Sequence, residues 1–291
     1  MKRRHLAALA LFLAAAAWGA TFTVIKNVLS QIAPEPFIFY RFTLAGVLLL
    51  AFAIGRGTIR RAVFVPALTL GALVFAGYWL QTRALLVISP SRSAFLTGVY
   101  VVIVPFCDRL MYGVDVPARA WIGAVLAASG TTVMVGPSDQ RPSWGDALTL
   151  GCAIVFAFHV VLSARYTARF PATSLAAIQV LFVGILAAPF TYFAPRPIMS
   201  RSLVLVILFT AIVTTALAFA ALMWGQAHVS ATQAAVILAF EPVAASITSV
   251  LWDHEPITMS FIAGGVLILM AMIVSQASAT MPADGPNPRH E

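Results

Sequence analysis

The carboxylate best placed to do chemistry in this sequence is Glu241, which lies in an apolar run from 231 to 251 long enough to cross a membrane. An ionised carboxylate in the middle of such a helix costs about 3 kcal/mol unless it is paired or hydrated. A carboxyl group there can take up and release a proton, which predicts proton coupling or a contact with a substrate ammonium group. The alternative is architectural: Glu241 pairs with a basic residue, or bonds in protonated form to a carbonyl that Pro242 leaves without a donor.

Three basic residues, Lys26, Arg41 and Arg83, lie within apolar runs or at their ends. Trp18, Phe22 and Lys26 are spaced by four residues, which predicts one helix face with two aromatic rings and a cation. Each cation is a candidate ligand for a carboxylate or phosphate group. The alternative is that these long side chains extend to the lipid headgroups.

Polar and aromatic side chains recur in the same runs and predict the lining of a cavity for a small zwitterion. Together with Trp18, Phe22 and Arg41, the candidate substrate-binding residues are Tyr78, Gln81, Thr97, Tyr100, His159 and Gln233. His159 is also a candidate proton relay, because an imidazole can both accept and donate a proton. The alternative for each of them is a hydrogen bond between helices, worth about 0.6 kcal/mol on average.

The composition places these groups in a membrane protein. Of the 291 residues, 61% are hydrophobic and 10% are charged, with a mean hydropathy of +0.94, against about 45–50% and about 25% in a soluble domain. The net charge of +8 is carried mostly between the apolar runs, so no nucleic-acid partner is expected. Cys107 and Cys152 lie inside apolar runs, which argues against a disulfide. The sequence has no motif for a metal site or nucleotide hydrolysis and predicts neither a cofactor nor an enzyme.

Ten apolar runs approach the length of about 20 residues that a membrane-spanning helix needs. They are 6–26, 36–54, 64–84, 93–112, 118–136, 145–165, 173–193, 202–223, 231–251 and 258–276. The sequence therefore predicts an all-α polytopic membrane protein with ten transmembrane helices and short connections. Residues 277–291 are predicted to form a disordered tail.

The distribution of Lys and Arg between the runs predicts the orientation. If the N-terminus is cytoplasmic, the cytoplasmic side carries eleven of them and the other side four. The eleven are Lys2, Arg3, Arg4, Arg56, Arg60, Arg61, Arg109, Arg119, Arg165, Arg169 and Arg289, and the four are Arg92, Arg141, Arg196 and Arg201. Both termini are therefore expected in the cytoplasm, with the chain in the cytoplasmic (inner) membrane. The first run also looks like a signal peptide with a cleavage site near 15–17, but it continues to Lys26.

Landmarks recur in the two halves of the chain. The pairs are Ser93 with Ser230 and Pro105 with Pro242, both at an offset of 137, and Gly123 with Gly264 at 141. We therefore expect two five-helix repeats, 1–137 and 144–276, and because five is odd, the second is inverted in the membrane. Inverted repeats are a basis for alternating access, with Pro105 and Pro242 as candidate hinges. Duplication kept only for packing and static proline kinks are the alternatives.

Three passages make the chain resemble the drug/metabolite transporter superfamily, in its EamA-type ten-helix branch. They are Trp18-Gly19 with Phe22 and Lys26; Ser93 to Tyr100 leading to Pro105; and Ala234 to Leu238 leading to Glu241-Pro242, followed by Asp253 to Pro256 and Gly264-Gly265. The resemblance covers residues 6–276 and implies secondary transport, commonly the export of amino acids or other small metabolites. One departure is that His159 and Arg165 stand where the first half has Trp18-Gly19 and Lys26, so the halves need not contribute equally.

Residues and resemblance together predict a secondary active exporter of a small metabolite such as an amino acid, working by alternating access, with proton coupling through Glu241 as a hypothesis. The expected partners are the substrate, membrane lipid and a proton gradient, for a monomer or homodimer. Two alternatives stay open: an exchanger of phosphorylated or nucleotide-linked metabolites, and a non-transporting membrane scaffold. An exchanger of dianions would gather cations from both halves, whereas Lys26, Arg41 and Arg83 all come from the first half.

Overall fold

A computed structural model describes residues 2–135, 143–252 and 259–277, and every regular element in those ranges is helical. The helices are α1 (Lys2–Val28), α2 (Pro34–Gly55), α3 (Phe64–Ala84), α4 (Pro90–Gly98), α5 (Tyr100–Tyr112), α6 (Ala118–Val135), α7 (Trp144–Thr167), α8 (Ala172–Phe193), α9 (Arg201–Ala211), α10 (Ala218–Gln226), α11 (Ala231–Leu238), α12 (Glu241–Trp252) and α13 (Met259–Ala277). A 3₁₀ turn, Arg61–Val63, precedes α3, and a π-helical turn, Ile212–Leu217, joins α9 to α10. The predicted all-α fold is confirmed over these ranges.

Within the described residues, eight helical segments are long and apolar enough to cross a membrane, at the positions of the predicted spans 1–4 and 6–9. Helices α6 and α13 lie at the predicted fifth and tenth spans and pack against each other, with Gly130 close to the main chain of Gly264. Residues 136–142, at the predicted boundary between the repeats, lie outside the described residues, as do the passage from Asp253 to Pro256 and the predicted tail beyond Ala277.

Three of the spans are not continuous α-helices. The fourth is broken at Val99, between α4 and α5, and the ninth is broken at Ala239 and Phe240, between α11 and α12. The eighth contains the π-helical turn between α9 and α10. Each interruption lies in the interior of its span, where main-chain groups become available to partners other than the helix itself.

The N-caps of α4 and α11 give the correct alignment of the two halves. Ser89 Oγ accepts a hydrogen bond from the amide of Arg92 at 3.3 Å, and Ser230 Oγ accepts one from the amide of Gln233 at 3.2 Å. These two serines are 141 residues apart, the same offset as the glycine pair in the sequence. The predicted pairing of Ser93 with Ser230 is therefore wrong: Ser89 holds the equivalent N-cap position, while Ser93 lies inside α4.

Equivalent helices of the two halves run antiparallel, which confirms the inverted repeat. Helices α2 and α8 cross so closely that a Cβ atom at Gly46 would lie 2.4 Å from Leu181 Cα, and one at Gly184 would lie 2.4 Å from Thr43 Oγ1. Gly46 thus contacts Leu181, and Thr43, earlier on α2, contacts Gly184, later on α8. The two helices therefore run in opposite directions. Likewise α4 packs on α12 while α5 packs on α11, so the broken spans also run in opposite directions.

Two faces of the bundle can be named from its contacts. The terminal face is where α1 and α11 begin and α10 ends; there Ser174 Oγ donates to the carbonyl of Thr58 at 2.8 Å. The opposite face is where α1 and α3 end and α4 begins; there Lys26 Nζ donates to the carbonyl of Leu85. Between the faces, α1 packs against α10 and α12, and α3 packs against α7 and α8.

Candidate functional site

A cavity of about 690 Å³, including the space at its mouth, lies at the centre of the bundle between the two halves. Its walls come from α1, α2, α3, α5, α7, α10, α11 and α12. Its lining residues are Trp18, Thr21, Phe22, Ile25, Arg41, Val74, Tyr78, Gln81, Thr82, Leu85, Tyr100, Phe156, His159, Val160, Phe219, Leu222, Leu238 and Glu241.

Eight of the predicted site residues line this cavity. They are Trp18, Phe22, Arg41, Tyr78, Gln81, Tyr100, His159 and Glu241. Thr97 lies behind the wall, where its hydroxyl accepts a bond from Gln81 Nε2 at 3.1 Å and donates to the carbonyl of Ser93. Gln233 lies at the terminal face, where it completes a capping box with Ser230. Thr97 therefore positions Gln81, and Gln233 stabilises the start of α11.

The cavity lies on the pseudo-two-fold axis of the repeat. Four pairs of lining residues are each 141 residues apart: Trp18 with His159, Tyr78 with Phe219, Gln81 with Leu222, and Tyr100 with Glu241. The sequence prediction does not include Phe219 or Leu222, although this offset from Tyr78 and Gln81 identifies both. Since the members of each pair differ in chemistry, a symmetric scaffold presents an asymmetric set of groups.

Arg41 is buried at the cavity, with 1% of its surface exposed. Its Nε donates to Thr215 Oγ1 at 2.6 Å, and its Nη2 donates to the carbonyl oxygen of Thr214 at 3.1 Å and to Thr214 Oγ1 at 3.0 Å. Its guanidinium carbon lies 5.1 Å from the centre of the Tyr78 ring. The snorkelling alternative for Arg41 is therefore wrong, and none of the ion pairs within the described residues includes it.

The other two candidate cations lie outside the cavity. Arg83 forms an ion pair with Glu35 at 2.5 Å, and its guanidinium lies over the ring of Trp79. Lys26 donates to the carbonyls of Leu85 and Ile88, beyond the end of α3. Arg83 is thus paired with a carboxylate, and Lys26 donates hydrogen bonds to main-chain carbonyl oxygens. Of the three candidate cations, Arg41 is the one that lines the cavity.

Glu241 is the first residue of α12 and follows the break in the ninth span. It is 9% exposed and lines the cavity. Its carboxyl group has neither a hydrogen bond nor an ion pair with the residues that the structure describes, so the architectural pairing with a basic residue is not observed there. A helix N-terminus favours a negative charge, which is one reason that a carboxylate can occupy this position.

A glycine allows α1 to reach Glu241. A Cβ atom at Gly19 would lie 2.2 Å from the carbonyl oxygen of Glu241 and 2.7 Å from the Cβ of Ala244. The Trp18-Gly19 sequence therefore has two functions: the glycine permits close packing on α12, and the neighbouring indole lines the cavity.

His159 has neutral partners. Its Nε2 lies 2.9 Å from Gln179 Oε1 and 3.4 Å from Ser163 Oγ. Its ring meets that of Phe219 edge-on, with centroids 6.4 Å apart. The imidazole is thus held at the cavity wall by α8, and its role as a proton relay stays a prediction.

The two prolines do not occupy equivalent places. Pro242 is the second residue of α12, directly after the break at Ala239 and Phe240, whereas Pro105 lies inside α5, six residues after the break at Val99. With the offset of 141, the equivalent of Pro242 is Val101. The interruptions of the two spans are equivalent, and Pro105 is not part of one.

Two ion pairs join the fourth span to α7, one at each end. Arg92 binds Asp146 at 2.6 Å on the opposite face, and Arg165 binds Asp108 at 2.9 Å on the terminal face. Arg92 and Arg165, which the sequence prediction treats as markers of topology, therefore also connect the two halves.

Comparison with known proteins gives consistent matches along the chain. The EamA-like transporter family matches twice, over residues 5–136 and 143–276. An "Uncharacterized transporter" of Archaeoglobus fulgidus is 32% identical over 273 residues, covering 94% of this chain and 86% of that protein. The "Uncharacterized inner membrane transporter YedA" of Escherichia coli is 26% identical over 283 residues, covering 94% and 92%. One solved crystal structure superposes with a TM-score of 0.78 at 19% identity, over 93% of this chain and 96% of that one, which supports the fold.

Proposed function

The chain belongs to the EamA-like transporter family, and from this membership and the geometry of the central cavity we propose that it is a secondary active transporter that exports a zwitterionic small metabolite, such as an amino acid, from the cytoplasm. The observation that carries the proposal is the cavity itself, which presents the guanidinium of Arg41 and the carboxylate of Glu241 without an ion-pair partner for either among the described residues.

An amino acid carries one negative and one positive charge, which complement Arg41 and Glu241. Its carboxylate suits Arg41, whose guanidinium has five N–H donors, of which the contacts with Thr214 and Thr215 use Nε and Nη2. Its ammonium group suits Glu241. The aromatic rings of Trp18 and Tyr78 line the space between the faces and would pack against an apolar substituent.

The proposed export rests on the resemblance to exporters, and the proposed proton coupling rests on Glu241. With more Lys and Arg on the terminal face, the positive-inside rule puts that face and both termini in the cytoplasm. The carboxyl group of Glu241 then alternates between a proton and the substrate ammonium group as the cavity opens to each side. An inward proton gradient thereby drives the substrate outward.

The charge of the cavity argues against the alternative of a phosphate or nucleotide-sugar exchanger. Among the described residues that line the cavity, Arg41 is the single Lys or Arg side chain, and Glu241 contributes a carboxyl group to the lining. A dianion in the cavity would lack a second cation to balance its charge. A central cavity lined by Arg41 and Glu241 favours transport over the alternative of a non-transporting scaffold.

Binding is tested by thermal unfolding of the purified protein with a panel of L-amino acids, dipeptides and sugar phosphates. A ligand at one hundred times its Kd raises the free energy of unfolding by about 2.7 kcal/mol. We expect stabilisation by zwitterions, and its loss in Arg41→Met but not in Arg56→Met, which removes a cation at the exposed end of the same helix. Stabilisation by sugar phosphates alone would contradict the proposal.

A further inference from the structure

The eighth span differs from its counterpart in the first half by the π-helical turn at Ile212–Leu217. The equivalent span, α3, runs from Phe64 to Ala84 as an uninterrupted α-helix. A π-turn adds a residue to a helical turn, and such turns are frequent at functional sites. Here the extra residue lies directly before α10, the helix that carries Phe219 and Leu222 into the cavity wall.

Side chains from two other spans hold this turn in its π form. The amide of Ala218 bonds to the carbonyl of Val213, five residues back, and to that of Thr215. The carbonyl of Thr214 thus lacks the amide that an α-helix would give it. Arg41 Nη2 donates to that oxygen at 3.1 Å and Trp18 Nε1 donates to it at 2.7 Å.

The threonine hydroxyls complete the network. Thr214 Oγ1 and Thr215 Oγ1 donate to the carbonyl of Thr210 at 3.1 and 2.9 Å. The same hydroxyl oxygens accept hydrogen bonds from Arg41, at 3.0 Å for Thr214 and 2.6 Å for Thr215. All three threonines are fully buried, where a group left without a partner is costly. The π form is therefore favoured while Arg41 and Trp18 stay in place.

An α-helical form of the same turn would move α10. If the extra residue of the π-turn becomes part of a regular α-helix, the segment that follows rotates about the helix axis by about 100° and moves along it by about 1.5 Å. That rotation takes Phe219 and Leu222 out of the cavity wall. It also displaces Gln226, whose Nε2 donates to the carbonyl of Val160 at 3.1 Å and ties α10 to α7 near the terminal face.

We propose that the π-helical turn of the eighth span is a conformational switch, held in its π form by Arg41 and Trp18 and released when an anionic group in the cavity draws Arg41 away from Thr214 and Thr215. On release the turn becomes α-helical, α10 rotates, and the contact between Gln226 and Val160 breaks at the terminal face. The link to a substrate rests on the proposed function, whereas the switch between two helical forms does not.

The test uses cysteine accessibility without any substrate, so its outcome is independent of the transport proposal. Leu222→Cys and, separately, Ala221→Cys are placed in a chain carrying Cys107→Ala and Cys152→Ala, and labelled in nanodiscs with a water-soluble methanethiosulfonate. In the π form position 222 lines the cavity. An α-helical turn puts position 221 in its place, because the register shifts by one residue.

Each reporter is combined with Trp18→Phe, Arg41→Met and the two together, and with Arg56→Met, at the C-cap of α2, as the matched control. We expect labelling at 222 to fall and labelling at 221 to rise, each by about tenfold in the double variant and less in the single variants, because the helix turns by about 100°. Arg56→Met should change neither rate. Labelling rates that stay unchanged at both positions would contradict the proposed switch. Labelling rates that rise at both positions would also contradict it, because they would indicate a loosened helix.

Discussion

The Nη2 atom of Arg41 lies 3.1 Å from the main-chain carbonyl oxygen of Thr214. A cation of the second span thus supplies this oxygen with a hydrogen-bond donor in place of the amide that an α-helix would provide. This one contact joins the two halves of the repeat at the wall of the cavity. It also explains how a guanidinium group can be buried: neutral oxygens of Thr214 and Thr215 solvate it.

Substitution of Arg41 should remove substrate affinity more than it removes stability. A hydrogen bond to a charged group is worth about 1.5–3 kcal/mol, so Arg41→Met should raise the Kd of a zwitterionic ligand by about ten- to one-hundredfold. Isothermal titration of the ligand found by thermal unfolding measures this, with Arg56→Met as the control. An unchanged Kd in Arg41→Met would contradict the role of Arg41 as the carboxylate ligand.

Gly19 should tolerate no side chain. Because a Cβ there would meet the carbonyl oxygen of Glu241 at 2.2 Å, Gly19→Ala should push α1 from α12 and destabilise the fold by about 1–3 kcal/mol. Gly151→Ala is the control, since its Cβ would meet only Leu80 Cδ1, at 3.5 Å. Thermal unfolding of both variants decides the matter, and equal midpoints would show that the close packing of α1 on α12 is not required.

Lys26 should act on the end of α3 and not on the substrate. Its Nζ holds the carbonyls of Leu85 and Ile88, so Lys26→Met should increase hydrogen exchange in the segment from 84 to 90 while leaving the Kd of the ligand within about twofold. Hydrogen-exchange mass spectrometry and titration measure the two effects. A large loss of affinity without faster exchange would place Lys26 in the binding site instead.

The sequence predicts the helices well because apolar length decides them, and it predicts eight of the eighteen residues that line the cavity because polar and aromatic side chains stand out in a membrane run. Trp18, Tyr78 and Glu241 are found in this way. Gln233 is wrongly placed in the cavity by the same reasoning, although Ser230 and Gln233 have the spacing of a capping box, which the structure shows. That pattern places Gln233 at the start of α11.

Other features depend on tertiary contacts that spacing does not contain. Arg41 and Trp18 bind the carbonyl of Thr214 in the π-turn of the eighth span, whereas the apolar length of the run from 202 to 223 predicts a continuous helix there. The predicted equivalence of the prolines is wrong for a different reason. Their distance from a serine suggests an offset of 137, while the N-caps at Ser89 and Ser230 fix it at 141.

The most direct test of the account is proton-driven transport of the identified ligand in proteoliposomes, comparing the protein with Glu241→Gln. We expect the variant to lose accumulation driven by a pH gradient and to keep exchange of labelled for unlabelled ligand at a higher ligand concentration, because a glutamine side chain cannot carry a proton and accepts a hydrogen bond from the ammonium group only as a neutral group. Glu35→Gln is the matched control, since Glu35 pairs with Arg83 away from the cavity. Accumulation by Glu241→Gln that still follows the pH gradient would contradict the account.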